Sequence, residues 1–253
     1  MTSARSHPGA PGYRSADEAQ RREAGATRHP ADRDRPLRKD EVAQVYRRRA
    51  SRYDVTSHLY WLIGYPLDRY RREGIDALRL RRGDTVVELG CGTGHNLPLL
   101  VDAVGPEGRV VGVDLTDAML AQARRRVERA GWRNVELVHS DAAEFAWPTR
   151  VDGVLSTYAL TLVPELDDVI RRAAAALGRG KRMVVVDFKA PERWPRWVLR
   201  AIVPLLRPFG VTLGLAERHP WESMRRHLAT VEVREHYLGT TYVASGESDA
   251  RTP

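Results

Sequence analysis

The chain has 253 residues, 42% of them hydrophobic, which is enough to bury a core for one domain with additions. Its one cysteine, Cys91, excludes an intrachain disulfide and a zinc site built from cysteines. The net charge of +8 comes from 41 basic residues, mostly arginine, and their spread along the chain is more typical of a solvated surface than of one nucleic-acid-binding stripe.

The N-terminal third divides into a tail and a helical region. Residues 1–37 are rich in Pro, Gly, Ala, Arg and Ser and show no helical or strand period, so we expect a disordered tail. Residues 38–82 have a helical pattern, with a first helix from Asp40 and a further helix over about 67–80, and we interpret them as a helical cap. The chain has neither an apolar run of the roughly 18 residues that span a bilayer nor a signal-peptide pattern. We therefore expect a cytoplasmic protein.

Apolar runs with the length of buried strands alternate with helical patterns through the rest of the chain. The strands are predicted near 84–89, 109–114, 134–139, 151–157 and 181–188, and the helices near 95–104, 117–130 and 164–178. This alternation predicts an α/β fold whose parallel sheet is covered on both faces and has its ligand crevice at the carboxyl ends of the strands. We place this domain at residues 83–245, followed by a tail over 246–253.

Two short strands predicted near 228–235 and 238–244 end the domain. They can pair with each other across a turn at His236-Tyr237, which predicts a terminal antiparallel hairpin.

The first predicted strand runs into a glycine turn that opens a helix. It reads Val86-Val87-Glu88-Leu89-Gly90-Cys91-Gly92-Thr93-Gly94-His95-Asn96, and Asp114 follows 20 positions after Gly94 at the tip of the next strand. Such a turn brings backbone N–H groups close to a ligand, and an acidic side chain at the next strand tip can bind ribose hydroxyls. The dinucleotide-binding motif needs glycine at position 95, where this chain has histidine. The turn therefore indicates an adenosine derivative and argues against a dehydrogenase.

With Glu88 before the turn, the pattern E-x-G-x-G-x-G resembles motif I of the class I S-adenosylmethionine (SAM) methyltransferases. The resemblance implies a Rossmann-like seven-stranded methyltransferase sheet with an N-terminal helical cap and a terminal antiparallel hairpin. It also implies SAM as the cofactor. The residues expected to bind it are Glu88, Gly90, Gly92, Gly94, Asp114, Leu115, Asp141, Ala142 and Ser156.

SAM is a zwitterion with a sulfonium cation, so its site must satisfy a carboxylate, an ammonium, two ribose hydroxyls and an adenine edge. We expect Glu88 to hold the ammonium and Asp114 to accept the ribose hydroxyls, with Thr116 as the cap of the following helix. Asp141 and the Ala142 backbone are placed for the adenine amino group. Ser156 and Thr157 would line the sulfonium side.

Methyl transfer mainly requires alignment of donor and acceptor, but an amine or phenol acceptor is protonated at pH 7 and can need a base. Residues near the strand tips and in the cap could serve as this base. They are Tyr158, His95, Asp187, Tyr53 and His58. We expect Tyr158, Tyr53 and His95 to be the catalytic set, and the family resemblance implies that Tyr53 helps to close the site over SAM.

A second resemblance, which covers about residues 40–245, limits the candidate methyl acceptors. Tyr53-Asp54 in the cap and an apolar insertion after the fifth strand resemble the ubiquinone/menaquinone C-methyltransferases and the phospholipid N-methyltransferases. Two segments, Gly94-His95-Asn96-Leu97 and Tyr158-Ala159-Leu160, are more similar to the lipid group. This favours a phospholipid amine headgroup as acceptor. A quinone ring, a soluble small molecule and a non-enzymatic SAM-binding module are the alternatives.

The insertion, residues 190–225, contains the most apolar surface candidate, Trp194–Leu215, with interleaved arginines. Its spacing fits a helix in the lipid interface at the inner membrane face, and equally a helix packed on the core. Nucleic acid is not expected as a substrate, because Ser156-Thr157-Tyr158-Ala159 stands where amino-directed base methyltransferases have [DNS]-P-P-[YFW]. The pattern leaves the oligomeric state open.

Overall fold

The computed structural model describes residues 39–49, 65–191, 194 and 218–249. The predicted tail over 1–37, the cap residues Tyr53 and His58, and the insertion from residue 195 to Leu215 lie outside these residues. Among the described helices, none combines the length and the apolar character needed to cross a membrane.

Helices and strands alternate along the described chain. The helices are α1 (Lys39–Arg49), α2 (Leu67–Ala77), α3 (Leu97–Val104), α4 (Asp117–Ala130), α5 (Leu166–Ala176) and α6 (Pro220–His227). The strands are β1 (Thr85–Leu89), β2 (Arg109–Asp114), β3 (Val135–His139), β4 (Val151–Thr157), β5 (Leu177–Phe188), β6 (Thr230–His236) and β7 (Thr241–Glu247). Helix α6 was not predicted; the predicted ends of the other elements lie within three residues of the observed ones, except at the start of β5.

The strands form one seven-stranded sheet in the order β3-β2-β1-β4-β5-β7-β6. The first five are parallel, whereas β7 runs antiparallel to both β5 and β6. Parallel neighbours need a crossover connection, and helices provide it here. The sheet confirms the predicted Rossmann-like architecture with a terminal antiparallel hairpin.

The boundary between α5 and β5 differs from the prediction. The helix predicted over 164–178 ends at Ala176, and β5 begins at Leu177 rather than near residue 181. Leu177 pairs with Val151 on β4 ahead of a shift in register at Gly153. The strand therefore starts early because of a partner that is remote in sequence.

The hairpin turn also lies later than predicted. It is formed by Tyr237–Gly239 instead of His236-Tyr237, and all three residues have positive φ. Strand β7 consequently begins at Thr241 and continues to Glu247, which pairs with Arg182 of β5. The last strand thus extends two residues beyond the predicted domain boundary.

The core lies on both faces of the sheet. Val86 and Val110 pack in a cluster with buried residues of α2, α3 and α4, whereas Val87 and Val111 pack in a second cluster with α5 and α6. Consecutive residues of a strand point to opposite faces, so both faces are apolar and both carry helices.

The strand order reverses between β1 and β4. From β1 the chain proceeds outward to β2 and β3, and from β4 it proceeds outward to β5. In open α/β sheets the crevice at the carboxyl ends of the strands, at such a reversal, is where ligands bind. The glycine turn after β1 lies at this edge.

Candidate functional site

The turn after β1 is built from glycines with left-handed backbone angles. Gly90, Gly92 and Gly94 have φ of 71°, 55° and 79°, a region that residues with a Cβ rarely adopt. The N–H groups of Gly90 and Cys91 donate to the Val113 carbonyl at 2.8 and 3.0 Å and fix the turn against β2. Cys91 is buried, and burial raises the pKa of its thiol well above the ordinary value. It is therefore a turn residue and not a nucleophile.

The three glycines differ in what surrounds them. A Cβ on Gly90 would lie 2.2 Å from Ala159 Cβ, and one on Gly94 would lie 2.7 Å from Leu97 Cδ1. Nothing lies within 4 Å of a Cβ on Gly92. Gly90 and Gly94 therefore allow close packing within the protein, whereas Gly92 presents its backbone to open space.

This difference predicts different costs for two similar substitutions. Gly90→Ala should lower the free energy of unfolding by about 3 kcal/mol, because backbone strain adds to overpacking against Ala159. Gly92→Ala should cost only about 1 kcal/mol, because the strain acts alone. Urea denaturation of the cofactor-free protein measures both, and equal losses would contradict the packing argument.

Asp114 is held at the end of β2 by backbone groups. One carboxylate oxygen accepts a hydrogen bond from Gly92 N–H and the other accepts one from Thr116 N–H, both at 2.8 Å. Burial raises the pKa of this carboxyl, and the hydrogen bonds from Thr116 and Gly92 oppose that rise. Both oxygens are thereby aimed by the backbone, and each keeps a lone pair for a ligand donor.

Thr116 does not cap α4 as expected. It occupies the N-cap position but makes no capping hydrogen bond with its side chain. Asp117 Oδ1 instead accepts from the Ala118 N–H at 2.8 Å in the first turn of the helix. Thr116 thus stands at the expected N-cap position, but the bond that it makes to Asp114 comes from its backbone N–H.

Glu88 lies deep at the end of β1 and is 1% exposed. Its Oε1 accepts a hydrogen bond from Asn96 Nδ2 at 2.6 Å, and the same amide donates to Thr157 Oγ1 at 2.9 Å. Burial raises the pKa of Glu88 to about 8, although the Asn96 hydrogen bond and the positive charge of Arg71 act to lower it. At neutral pH this carboxyl is mostly protonated in the absence of a bound cation.

Three buried polar atoms near this edge have no hydrogen-bond partner among the described residues. They are Glu88 Oε2, Asn96 Oδ1 and Ser156 Oγ. An unsatisfied buried polar group costs free energy, and a cluster of such groups at a strand edge indicates a ligand that completes the hydrogen bonds. Asn96 was not among the predicted site residues; the sequence placed it inside the helix predicted over 95–104, whereas it lies directly before α3.

A cavity at this edge brings most of the predicted cofactor residues together. Those that line it are Gly90, Gly92, Asp114, Leu115, Asp141, Ala142 and Ser156, together with Tyr158 of the predicted catalytic set. Glu88, Gly94 and His95 do not line it. Glu88 is linked to the lining through Asn96 and Thr157, whereas Gly94 packs on Leu97.

Helix α1 contributes two lining residues that the sequence did not indicate, Lys39 and Tyr46. Lys39 Nζ lies 2.6 Å from Asp141 Oδ2 and 2.9 Å from Glu165 Oε2, so one ammonium bridges two loops of the cavity. Burial acts to lower the pKa of Lys39, but the hydrogen bonds with these carboxylates outweigh it and the pKa is raised. Asp141 Oδ1 also accepts from the Ala143 N–H at 2.9 Å.

Tyr158 follows β4 with a φ of 56°, an unusual angle for an aromatic residue. Its hydroxyl lies 3.1 Å from that of Tyr65, which lies 2.7 Å from Thr241 Oγ1. Burial raises the pKa of Tyr158 well above its ordinary value. The phenol therefore stays protonated, which favours a hydrogen-bonding role over the basic role expected from the sequence.

Asp187 is a buried carboxylate that does not line the cavity. It accepts from the N–H and the hydroxyl of Thr161 at 3.2 and 2.6 Å, and from the Phe188 N–H at 2.8 Å. Burial raises its pKa to about 6. One oxygen is bound by the loop after β4 and the other by the end of β5, so its observed role is structural.

Comparison with known proteins identifies relatives with named activities. A family model described as a methyltransferase domain matches residues 80–205. A 2-phytyl-1,4-naphtoquinone methyltransferase of Thermosynechococcus vestitus is 30% identical over 179 residues, or 68% of this chain and 75% of the relative. A demethylmenaquinone methyltransferase of Listeria welshimeri is 29% identical over 162 residues, or 63% of this chain and 67% of the relative.

Solved structures share the fold at lower identity. A SAM-dependent methyltransferase from Aquifex aeolicus is 20% identical, with a TM-score of 0.52 over 70% of this chain and 88% of its own. A phosphoethanolamine N-methyltransferase 2 of Haemonchus contortus, in complex with SAM, is 15% identical, with a TM-score of 0.56 over 70% of this chain and 52% of its own. Because the sequence identities are low, these similarities show only that the fold is shared.

Proposed function

Since the chain belongs to the class I SAM-dependent methyltransferases, we propose that it methylates a ring carbon of a quinol that carries an apolar side chain. The single observation that carries this acceptor is the 30% identity over 75% of the naphthoquinone methyltransferase of Thermosynechococcus vestitus. The demethylmenaquinone relative agrees in acceptor class.

The phospholipid amine favoured by the sequence ranks second. The phosphoethanolamine enzyme of Haemonchus contortus is only 15% identical, so its likeness supports a common fold and nothing about the acceptor. The predicted membrane contact through Trp194–Leu215 stays a prediction, because nearly all of that segment lies outside the described residues.

The residues at the cavity fit SAM. Asp114 presents two backbone-held oxygens to the ribose hydroxyls, and Gly92 offers a backbone without a side chain to the methionine portion. Glu88 lies behind the lining, so its unpartnered Oε2 would accept from the ammonium through water. Asp141 and the Ala142 backbone, both lining the cavity, are assigned to the adenine edge.

SAM supplies a methyl group on a positively charged sulfur, an electrophile that needs alignment more than activation. Leu160, Leu162 and Val163 form an apolar wall of the cavity that would exclude water and pack on the acceptor ring. The unpartnered Ser156 Oγ would accept a hydrogen bond from a quinol hydroxyl. The ring carbon would form the bond to the methyl group as the sulfur–methyl bond breaks, S-adenosylhomocysteine would be the leaving group, and the proton of the ring carbon would pass to bulk solvent.

A transfer assay with methyl-labelled SAM tests this proposal. The full chain is incubated with a short-chain demethylmenaquinol in detergent, with the oxidised quinone, and with phosphatidylethanolamine vesicles. We expect label on the ring carbon of the quinol alone, because the reduced ring is electron-rich and nucleophilic and the quinone is not. Label on the phosphatidylethanolamine nitrogen would overturn the quinol assignment. Tight SAM binding without transfer to any acceptor would instead support the binding module.

A further inference from the structure

One wall of the cofactor cavity is formed by the loop between β4 and α5, residues 158–165, called here the wall loop. Tyr158, Leu160, Leu162, Val163 and Pro164 of this loop line the cavity. The placement of a few backbone atoms therefore decides the shape of the apolar side of the site.

Arg218 binds the backbone of this loop at three points. Its Nη1 donates to the carbonyls of Thr161 and Val163 at 2.9 and 2.8 Å, and its Nη2 donates to the carbonyl of Pro164 at 3.3 Å. In the described part of the chain it forms no ion pair with a carboxylate. A guanidinium with several fixed donors is suited to hold such a set of carbonyls in one geometry.

Asp187 holds the same loop from its other side. It accepts from the N–H and the hydroxyl of Thr161, so both backbone groups of that residue are bound by buried or half-buried side chains. Nearby, Tyr158 has a positive φ, and Ala159 is where a Cβ on Gly90 would clash. A strained backbone persists only where surrounding contacts fix it. The wall loop is thus held in one position by contacts from remote segments.

We propose that Arg218 is a positioning residue for cofactor binding and methyl transfer, acting through the wall-loop carbonyls to hold the apolar wall of the cavity. This role rests on the proposed function, since it requires that the cavity bind SAM. Arg218 touches neither reacting atom, so the proposal concerns geometry and not chemistry.

Helix α6, which follows Arg218, has its own attachment to the domain. Asp167 of α5 accepts from Ser223, from Arg226 Nη2 at 2.6 Å, and lies 3.2 Å from His227 Nε2. Trp221 packs edge-on against Tyr242 with ring centroids 4.6 Å apart. Removal of Arg218 alone should therefore leave α6 in place, and its effect should be concentrated on the wall loop.

Calorimetric titration of S-adenosylhomocysteine (SAH) into the full chain tests the role. Arg218→Gln should raise the dissociation constant by about tenfold, because the shorter, uncharged amide cannot reach the three carbonyls that the guanidinium binds. Arg218→Lys should recover part of the affinity, since an ammonium still donates to carbonyls. Arg226→Gln is the matched control, an arginine of α6 that binds Asp167 and does not touch the wall loop, and it should leave the affinity within about twofold.

The transfer assay adds a second readout. We expect Arg218→Gln to raise KM for SAM more than it lowers kcat, with a melting temperature close to that of Arg226→Gln. Unchanged SAH affinity in Arg218→Gln, or an equal loss in Arg226→Gln, would overturn the positioning role and leave a general structural one. If the wild type did not bind SAH, all variants would fail alike, and the cofactor site itself would be overturned together with this role.

Discussion

Replacing Asp114 by asparagine is expected to weaken SAH binding more than a hundredfold. Both carboxylate oxygens already accept a backbone N–H, from Gly92 and from Thr116, so an amide nitrogen in either place would face a donor instead of an acceptor. The substitution also removes charge-assisted hydrogen bonds to the ribose, worth about 1.5 to 3 kcal/mol each. Calorimetric titration measures the change.

Asp117→Asn is the control for this substitution. Asp117 lies three residues further along, is solvent-exposed and forms a surface pair with Arg47, so its loss should leave SAH affinity within about twofold. Circular dichroism should show both variants folded. If Asp114→Asn bound SAH like the wild type, the ribose would not be held at the tip of β2 and the proposed cofactor site would be wrong.

SAH affinity is also expected to rise with pH between about 6 and 8, by up to about tenfold per pH unit. Burial raises the pKa of Glu88 to about 8, so below that pH the carboxyl carries a proton that it must lose to pair with the ammonium. As the pH rises, Glu88 loses this proton before SAH binds, so the free-energy cost of removing it on binding falls. Titrations in two buffers with different ionisation enthalpies measure the proton released.

Glu88→Gln separates this effect from other titrating groups. Asp114 acts electrostatically on Glu88 and its own pKa is raised by burial, so it is the neighbouring group whose effect must be separated. The glutamine variant should bind SAH weakly and without the pH dependence between 6 and 8. A wild-type affinity that does not change with pH would contradict the assignment of Glu88.

The same group has an effect of opposite sign on the cofactor-free protein. The pKa of Glu88 is raised from 4.5 to about 8 in the folded state. The contribution of this group to the free energy of unfolding is therefore fully present below pH 4.5 and is lost as the pH rises through about 8. Glu88→Gln should therefore melt at a higher temperature than the wild type near pH 8.5. The charged form of Glu88, which favours binding of the ammonium, therefore destabilises the cofactor-free fold.

The sequence located most of the sheet because the signals for buried strands are local. Runs such as Val110–Val113 are apolar throughout, and a strand that is buried on both faces reads this way wherever it lies in the chain. The start of β5 was misplaced because Leu177 becomes strand only through its pairing with Val151. Strand ends that depend on a remote partner have no signal in their own residues.

The candidate site likewise contains residues that the sequence indicated and residues that it did not. Gly90, Gly92 and Asp114, which line the cavity, could be proposed from the sequence because their spacing is fixed by short connections along the chain. Lys39 was missed, since its partners Asp141 and Glu165 are more than 100 residues away. Tyr158 was found, but its role as a base is disfavoured because burial, which no spacing reveals, keeps its phenol protonated.

What the sequence by itself determined is the order of elements, the turn that needs glycine at positive φ, and the acid at the tip of the second strand, all of which follow from short-range sterics and periodicity. Only the tertiary structure decided which buried groups lack partners, where Glu88 and Tyr158 titrate, and that Arg218 holds the cavity wall. Desolvation and hydrogen bonding depend on every segment packed around a group. They are therefore fixed only when remote parts of the chain come together.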